Sequence, residues 1–163
     1  MTVLRDTAAR GVATREPLVR GATIGAAAMA VPDQVVPNSV IAERLGVDDR
    51  WIEKRTGVVE RRIATAADSV ASLAATAARR TLELASCDPE SVDLVLVATC
   101  RPDHITPNVA PHVVELAGLG SAGSLDLGSA CSGWLAGLRL AAGQVETGRA
   151  DRVLVIGSDV MSR

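Results

Sequence analysis

Apolar residues change their spacing several times along this chain, and each change marks a candidate element. From Ala22 to Met29 a run of small and apolar residues ends at Pro32, which predicts a buried first strand. Asn38 stands as a candidate N-cap for a short helix that stops near Gly46. The stretch from Asp48 to Arg62 is charged, carries Trp51, and holds Gly57 as its turn. Asp68-Ser69 then opens the clearest helical period in the chain. Val70, Leu73, Ala74, Ala77, Leu82 and Leu84 lie along one side, and the pattern stops near Cys87-Asp88-Pro89.

Two later runs read as strands. Val92 to Thr99 (VDLVLVAT) and Arg152 to Gly157 (RVLVIG) are rich in β-branched residues and uncharged after Asp93 and Arg152, as expected of strands covered on both faces. A shorter candidate, Ser124 to Leu127, leads through Gly128-Ser129-Ala130 into a helix over about Cys131 to Gly148. Pro102, Pro107 and Pro111 break the region between, predicting a long loop and then a helix over His112 to Ala117. This order predicts an α/β fold with a mixed or parallel five-stranded sheet and helices on both faces. Residues 1–20 show no sustained period and read as a flexible leader before one unit over 21–163.

Composition narrows the classes of function. Of 163 residues 48% are hydrophobic, enough for a core, and the net charge is only −2. With 17 basic and 19 acidic residues, no Phe or Tyr, and Trp51 and Trp134 as the only Trp, a nucleic-acid partner is excluded as a working hypothesis. No apolar run approaches the ~20 residues that span a bilayer, so no membrane partner is expected. The three cysteines form no CxxC pair and no zinc spacing, so no metal site is expected. An odd thiol count without a secretory signal suggests a cytoplasmic protein. No Walker motif occurs, leaving no support for a phosphate loop of that kind or a tightly bound nucleotide cofactor.

Cys131 is the main candidate for chemistry. It sits in GSACSGW, where a strand turns into a helix. The free N–H groups and positive dipole end of a first helical turn favour thiolate over thiol, and they also suit an oxyanion on a bound thioester. A competing reading makes Cys131 a small buried residue in an Ala/Gly-rich interface. Cys100 ends a strand without a helix start to activate it and reads as structural filler, as does Cys87 in a helix-terminal turn. His104 and His112 are the only imidazoles, and a surface or dimer contact suits His104. Trp51 and Arg55 are four residues apart and share a helix face. An aromatic plane beside a guanidinium suits an adenine ring with phosphates nearby, while anchoring of Trp51 to the core is an equal alternative.

Taken in order, several stretches resemble the β-ketoacyl-acyl-carrier-protein synthase III family of thiolase-fold condensing enzymes. ATIGAAAMAVPDQVVPNSVIAERL is similar to the family's first strand and its proline-marked exit, and DDRWIEKRTGVVERRIA to its signature around Trp51 and Arg55. VDLVLVAT, LDLGSACSGWLAGL and RVLVIGSDVMSR resemble the second strand, the nucleophile motif and the strand closing the first half. The resemblance implies a thiolase-like fold and an N-terminal half-domain with the C-terminal half absent. It implies that Cys131 accepts an acyl group, that Trp51 and Arg55 hold the adenine end of acyl-CoA, and that malonyl-acyl-carrier protein is the second substrate. It further implies a homo-oligomer, or a second chain supplying the catalytic His and Asn, since neither His104 nor His112 falls where the family's base belongs. Acyl transfer to a hydroxyl or amine in secondary metabolism, or a non-catalytic binding module on the same fold, are the alternatives.

Overall fold

A computed structural model describes residues 20–162; the leader expected over 1–20 lies, but for Arg20, outside the described residues. Its parallel sheet grows from the most apolar run of the chain. Strand β3 (Leu94–Ala98) takes the centre, with β4 (Gly123–Leu127) and β5 (Val153–Gly157) parallel on either side. Leu96 pairs with Leu125 and Val155, and Ala98 with Leu127 and Gly157. Because side chains alternate along a strand, Val95 and Val97 face one way and Leu96 and Ala98 the other.

Both faces are covered. Val95 and Val97 meet helices α3 (Val70–Leu84) and α4 (Val109–Ala117) in a core with Val70, Ala74, Leu82, Val109 and Val113. Each such Val or Leu removed from water contributes about 1.5–3 kcal/mol. The opposite face takes helix α5 (Gly133–Glu146), whose Gly133 and Gly137 lie against Ala98, Val155 and Leu127. Predicted helices on both faces are therefore present.

The helix starts are made by side chains that local sequence selects. Ser69 and Ser72 form a reciprocal capping box at the head of α3. Its first N–H groups also donate to Asp103, from Val70 N at 3.1 Å and Ala71 N at 3.0 Å. Asp126 on β4 does the same for α4, accepting from Val109 N (2.9 Å) and Ala110 N (2.7 Å). Pro111 is tolerated inside α4 because the first turn has no acceptor for its missing N–H.

Before α3 the chain forms a separate ribbon. Strands β1 (Gln34–Pro37) and β2 (Glu60–Ile63) pair antiparallel and flank helices α1 (Asn38–Leu45) and α2 (Asp49–Thr56). The expected single mixed sheet of five strands is thus corrected to a three-stranded parallel sheet and a two-stranded ribbon. The strand expected over Ala22–Met29 does not form. A strand needs a neighbouring edge for its N–H and C=O groups, and none of these strands gives it one. The segment is instead held by Arg80, which donates to Met29 O at 2.8 Å, and Ile24 and Met29 stay exposed.

Two smaller expectations also change. Asn38 is the first helical residue and Pro37 the cap. The buried Asn38 side chain instead donates to Val58 O and accepts from Arg61 Nη2, both at 2.6 Å, tying α1 to β2. Leu84, assigned to the apolar side of α3, is exposed as the last residue of the helix.

Candidate functional site

Cys131 lies between β4 and α5, in a single 3₁₀ turn over Ala130–Ser132. It precedes the α-helix and is not its first residue, as the strand-to-helix spacing had suggested. Ser129 O closes the turn by accepting from Ser132 N (3.2 Å) and Ser132 Oγ (2.8 Å). Ala130 has φ 45°, a left-handed conformation that costs an L-residue with a Cβ roughly 1–2 kcal/mol. Strain of this kind gathers where a side chain must be presented in one direction, and Cys131, next in the chain, is exposed.

Gly133 explains how the turn is seated. A Cβ there would lie 2.9 Å from the Ala98 Cβ, so only a glycine lets α5 begin this close to β3. The first N–H groups of α5 and the carboxyl ends of three parallel strands therefore converge around the turn that carries Cys131. In open α/β sheets that end of the strands is where ligands bind.

Cys100 is in the same place. It follows β3 and is exposed, and its backbone N donates to Asp159 Oδ1 at 2.7 Å. Asp159 also accepts from Thr99 Oγ1 (3.0 Å) and Arg101 N (3.3 Å), so one carboxylate from beyond β5 fixes the whole turn after β3. Although the residue is exposed, atoms packed about its sulfur push the Cys100 thiol up, and the nearby Asp159 carboxylate and Cys131 thiol add to the effect. Sequence reasoning passed over this proximity and over Asp159. The available signal is that each cysteine lies within four residues of the end of a strand. Cys87 lies at the other end, after α3, with its sulfur 3.4 Å from Ser91 Oγ.

Trp51 and Arg55 do share one face of α2. Asp48 caps that helix by accepting from Arg50 N at 2.6 Å, and Gly57 ends it at φ 70°. Arg55 Cζ stands 4.1 Å from the centre of the Trp51 ring, a cation–π contact. Trp51 is 44% exposed while Ile52 beside it is 7% exposed, so Ile52 anchors α2 and the Trp51 ring does not. The ribbon reaches the sheet's carboxyl end through Ala64 N, which donates to Ser162 Oγ at 2.9 Å. A cleft of about 430 Å³ lies there, lined by Arg61, Arg62 and Asp159 among others.

The rings of His104 and His112 lie with centres 6.5 Å apart and planes tilted by 59°, and His112 Nε2 is buried without a hydrogen-bond partner among the described residues. Among those residues no group of three or more His, Cys, Asp or Glu is placed to hold a metal ion, and no helix is long and apolar enough to cross a membrane.

Comparison with known proteins points one way. The family model described as 3-oxoacyl-[acyl-carrier-protein (ACP)] synthase III matches residues 125–163. A β-ketoacyl-[acyl-carrier-protein] synthase III of Synechococcus sp. is 43% identical over 145 residues, 89% of this chain and 43% of that protein. A 3-oxopimeloyl-[acyl-carrier-protein] synthase of Rhodothermus marinus is 42% identical over 151 residues, covering 93% of this chain and 43% of the relative. The crystal structure of a synthase III from Thermus thermophilus superposes with a TM-score of 0.79 at 36% identity, over 86% of this chain and 44% of that one. The chain spans less than half the length of each of these relatives.

Proposed function

The chain belongs to the 3-oxoacyl-[acyl-carrier-protein] synthase III family, matching its N-terminal part, and on that premise we propose that Cys131 carries the acyl group in a condensing enzyme. The observation that supports this most is the placement of an exposed cysteine in a strained turn at the carboxyl end of the parallel sheet, directly before a helix.

The Cys131 thiolate attacks the thioester carbonyl of acyl-CoA. The carbonyl oxygen becomes an oxyanion near the start of α5, whose dipole favours negative charge, and coenzyme A leaves as its thiolate and takes up a proton. The acyl-cysteine is then attacked by the enolate that malonyl-acyl-carrier protein forms on losing carbon dioxide. The product is a 3-oxoacyl chain on the carrier protein, and the Cys131 thiol is regenerated. The His and Asn that this second step needs are contributed by further chain or by a second subunit, in a cytoplasmic homo-oligomer without a tightly bound cofactor.

Trp51 and Arg55 hold the nucleotide end of coenzyme A in this reading. The free face of the Trp51 ring stacks on adenine, and the guanidinium already lying over the other face pairs with phosphate. Both roles fit the exposure of the pair on α2.

Native mass spectrometry of the protein with a panel of acyl-CoAs, beside Cys131→Ala, tests the reading. An acyl adduct that disappears in Cys131→Ala is expected. An adduct that survives the substitution, or its absence with every acyl-CoA, overturns it.

A further inference from the structure

Cys100 has no part in the acyl transfer above, yet the fold delivers it to the same edge of the sheet as Cys131. In the register of β3 and β4, Ala98 pairs with Leu127, and Thr99 N still donates to Leu127 O at 3.4 Å. Cys100 therefore emerges two residues past one member of that pair, and Cys131 four residues past the other. The chain after Cys131 also folds back onto β3, since Gly133 sits directly on Ala98. Both ends of the turn carrying Cys131 are thus fastened to the residues that precede Cys100. Asp159 pins Cys100 there, because its carboxylate takes the N–H groups of Cys100 and Arg101 and the Thr99 hydroxyl. Each thiol is within electrostatic reach of the other, and both are exposed.

We propose that Cys100 and Cys131 form a peroxide-responsive thiol pair, with Cys100 as the resolving cysteine that converts oxidised Cys131 to a reversible disulfide. The steps balance. The Cys131 thiolate displaces hydroxide from hydrogen peroxide to give Cys131–S–OH. The Cys100 sulfur then attacks that sulfur, releasing water and forming the S–S bond. A dithiol restores both thiols. Without Cys100 the sulfenic acid at Cys131 reacts with more peroxide and ends as sulfinic acid, which a dithiol does not reduce. Atoms packed about its sulfur, and then the Asp159 carboxylate, hold Cys100 in the thiol form, which suits the resolving role rather than first attack on peroxide. Cys87 is the internal control: β3 separates it from the pair, about 3.3 Å per residue of strand.

The pair does not depend on the acyl-transfer reading, and its test uses no acyl-CoA. The full chain and its Cys100→Ser and Cys87→Ser variants are treated with hydrogen peroxide, then digested without reductant by a protease that cuts after Glu. Cleavage after Glu83, Glu90, Glu115 and Glu146 leaves each cysteine on its own peptide. The expected result is a 91–115 peptide joined to a 116–146 peptide in wild type and in Cys87→Ser, within a monomeric chain, with the Cys131 thiol fully recovered by dithiothreitol. In Cys100→Ser, dimedone labels Cys131, and further peroxide gives a sulfinic acid that dithiothreitol does not reverse. If wild type accumulates sulfinic acid at Cys131 as fast as Cys100→Ser, or if the linkage joins two chains or involves Cys87, the proposal is overturned.

Discussion

Adding one methyl group at two positions of α5 should have opposite effects, and the structure supplies both magnitudes. At Gly143 a Cβ would meet nothing within 4 Å and φ is not positive, so Gly143→Ala gains helix propensity at no steric cost. That gain is about 0.5–1 kcal/mol, mostly from restricting the unfolded chain. At Gly133 the new Cβ would stand 2.9 Å from the Ala98 Cβ, where carbon atoms prefer about 3.5–4.0 Å. Neither methyl can rotate away, because both are fixed to backbone. Helix α5 must lift off β3, and overpacking of this kind costs about 1–3 kcal/mol. The steric term wins, and the propensity gain is small in the first turn. For a chain of this size 1 kcal/mol moves Tm by about 2–4 °C. Urea and thermal unfolding should therefore place Gly143→Ala above wild type and Gly133→Ala below it, with the urea slope unchanged. Gly133→Ala should also slow acylation of Cys131, since the turn moves with the helix. A Gly133→Ala chain as stable as wild type would refute the packing argument, and a destabilised Gly143→Ala would refute the propensity argument.

Other consequences are equally direct. Asp126→Ala removes two charge-assisted hydrogen bonds from the buried start of α4 and should destabilise the chain by about 1–3 kcal/mol, with Asp126→Asn in between, read by urea unfolding. Asp93 accepts from Arg152 N and Asp151 N, and these bonds hold its carboxyl below the ordinary value of 3.8. The folded chain thus binds this proton less readily than the unfolded one. Its contribution is full above the ordinary value and is lost as pH falls through the lower folded value. Asp93→Asn should flatten the acid limb of a stability-against-pH curve there; an unchanged limb would contradict this. In a Trp134→Phe background coenzyme A should quench Trp51 emission. Arg55→Ala should then weaken coenzyme A binding by about two- to fivefold, the range of an exposed cation contact worth about 0.5–1 kcal/mol. Equal affinity would exclude the nucleotide role of that pair.

Much of the fold was legible because its signals are local. The serines and aspartate at 68–72, the apolar period of α3, and the β-branched runs of β3 and β5 act over a few residues, and the structure places those elements within a residue or two of expectation. The expectation failed where a partner far along the chain decides. Ala22–Met29 has the composition of a strand, but strand formation depends on whether another edge is offered. Glu60–Ile63 reads as part of a charged stretch, yet it becomes a strand because Gln34–Pro37 lies opposite. Asn38 looks like a cap until Val58 and Arg61, both about twenty residues on, take its side chain.

The candidate site divides in the same way. Sequence alone determined that Cys131 stands at a strand-to-helix junction and that Trp51 and Arg55 lie on one helical face, because helix and strand periods set both. Only the tertiary structure decided that Cys100 and Asp159 join Cys131, that Ile52 rather than Trp51 anchors α2, and that Gly133 is required by Ala98. Those facts depend on which strands become neighbours in the sheet. Residues distant in the chain meet only when the register of β3 with β4 and β5 is set, and that register comes from burying two faces at once.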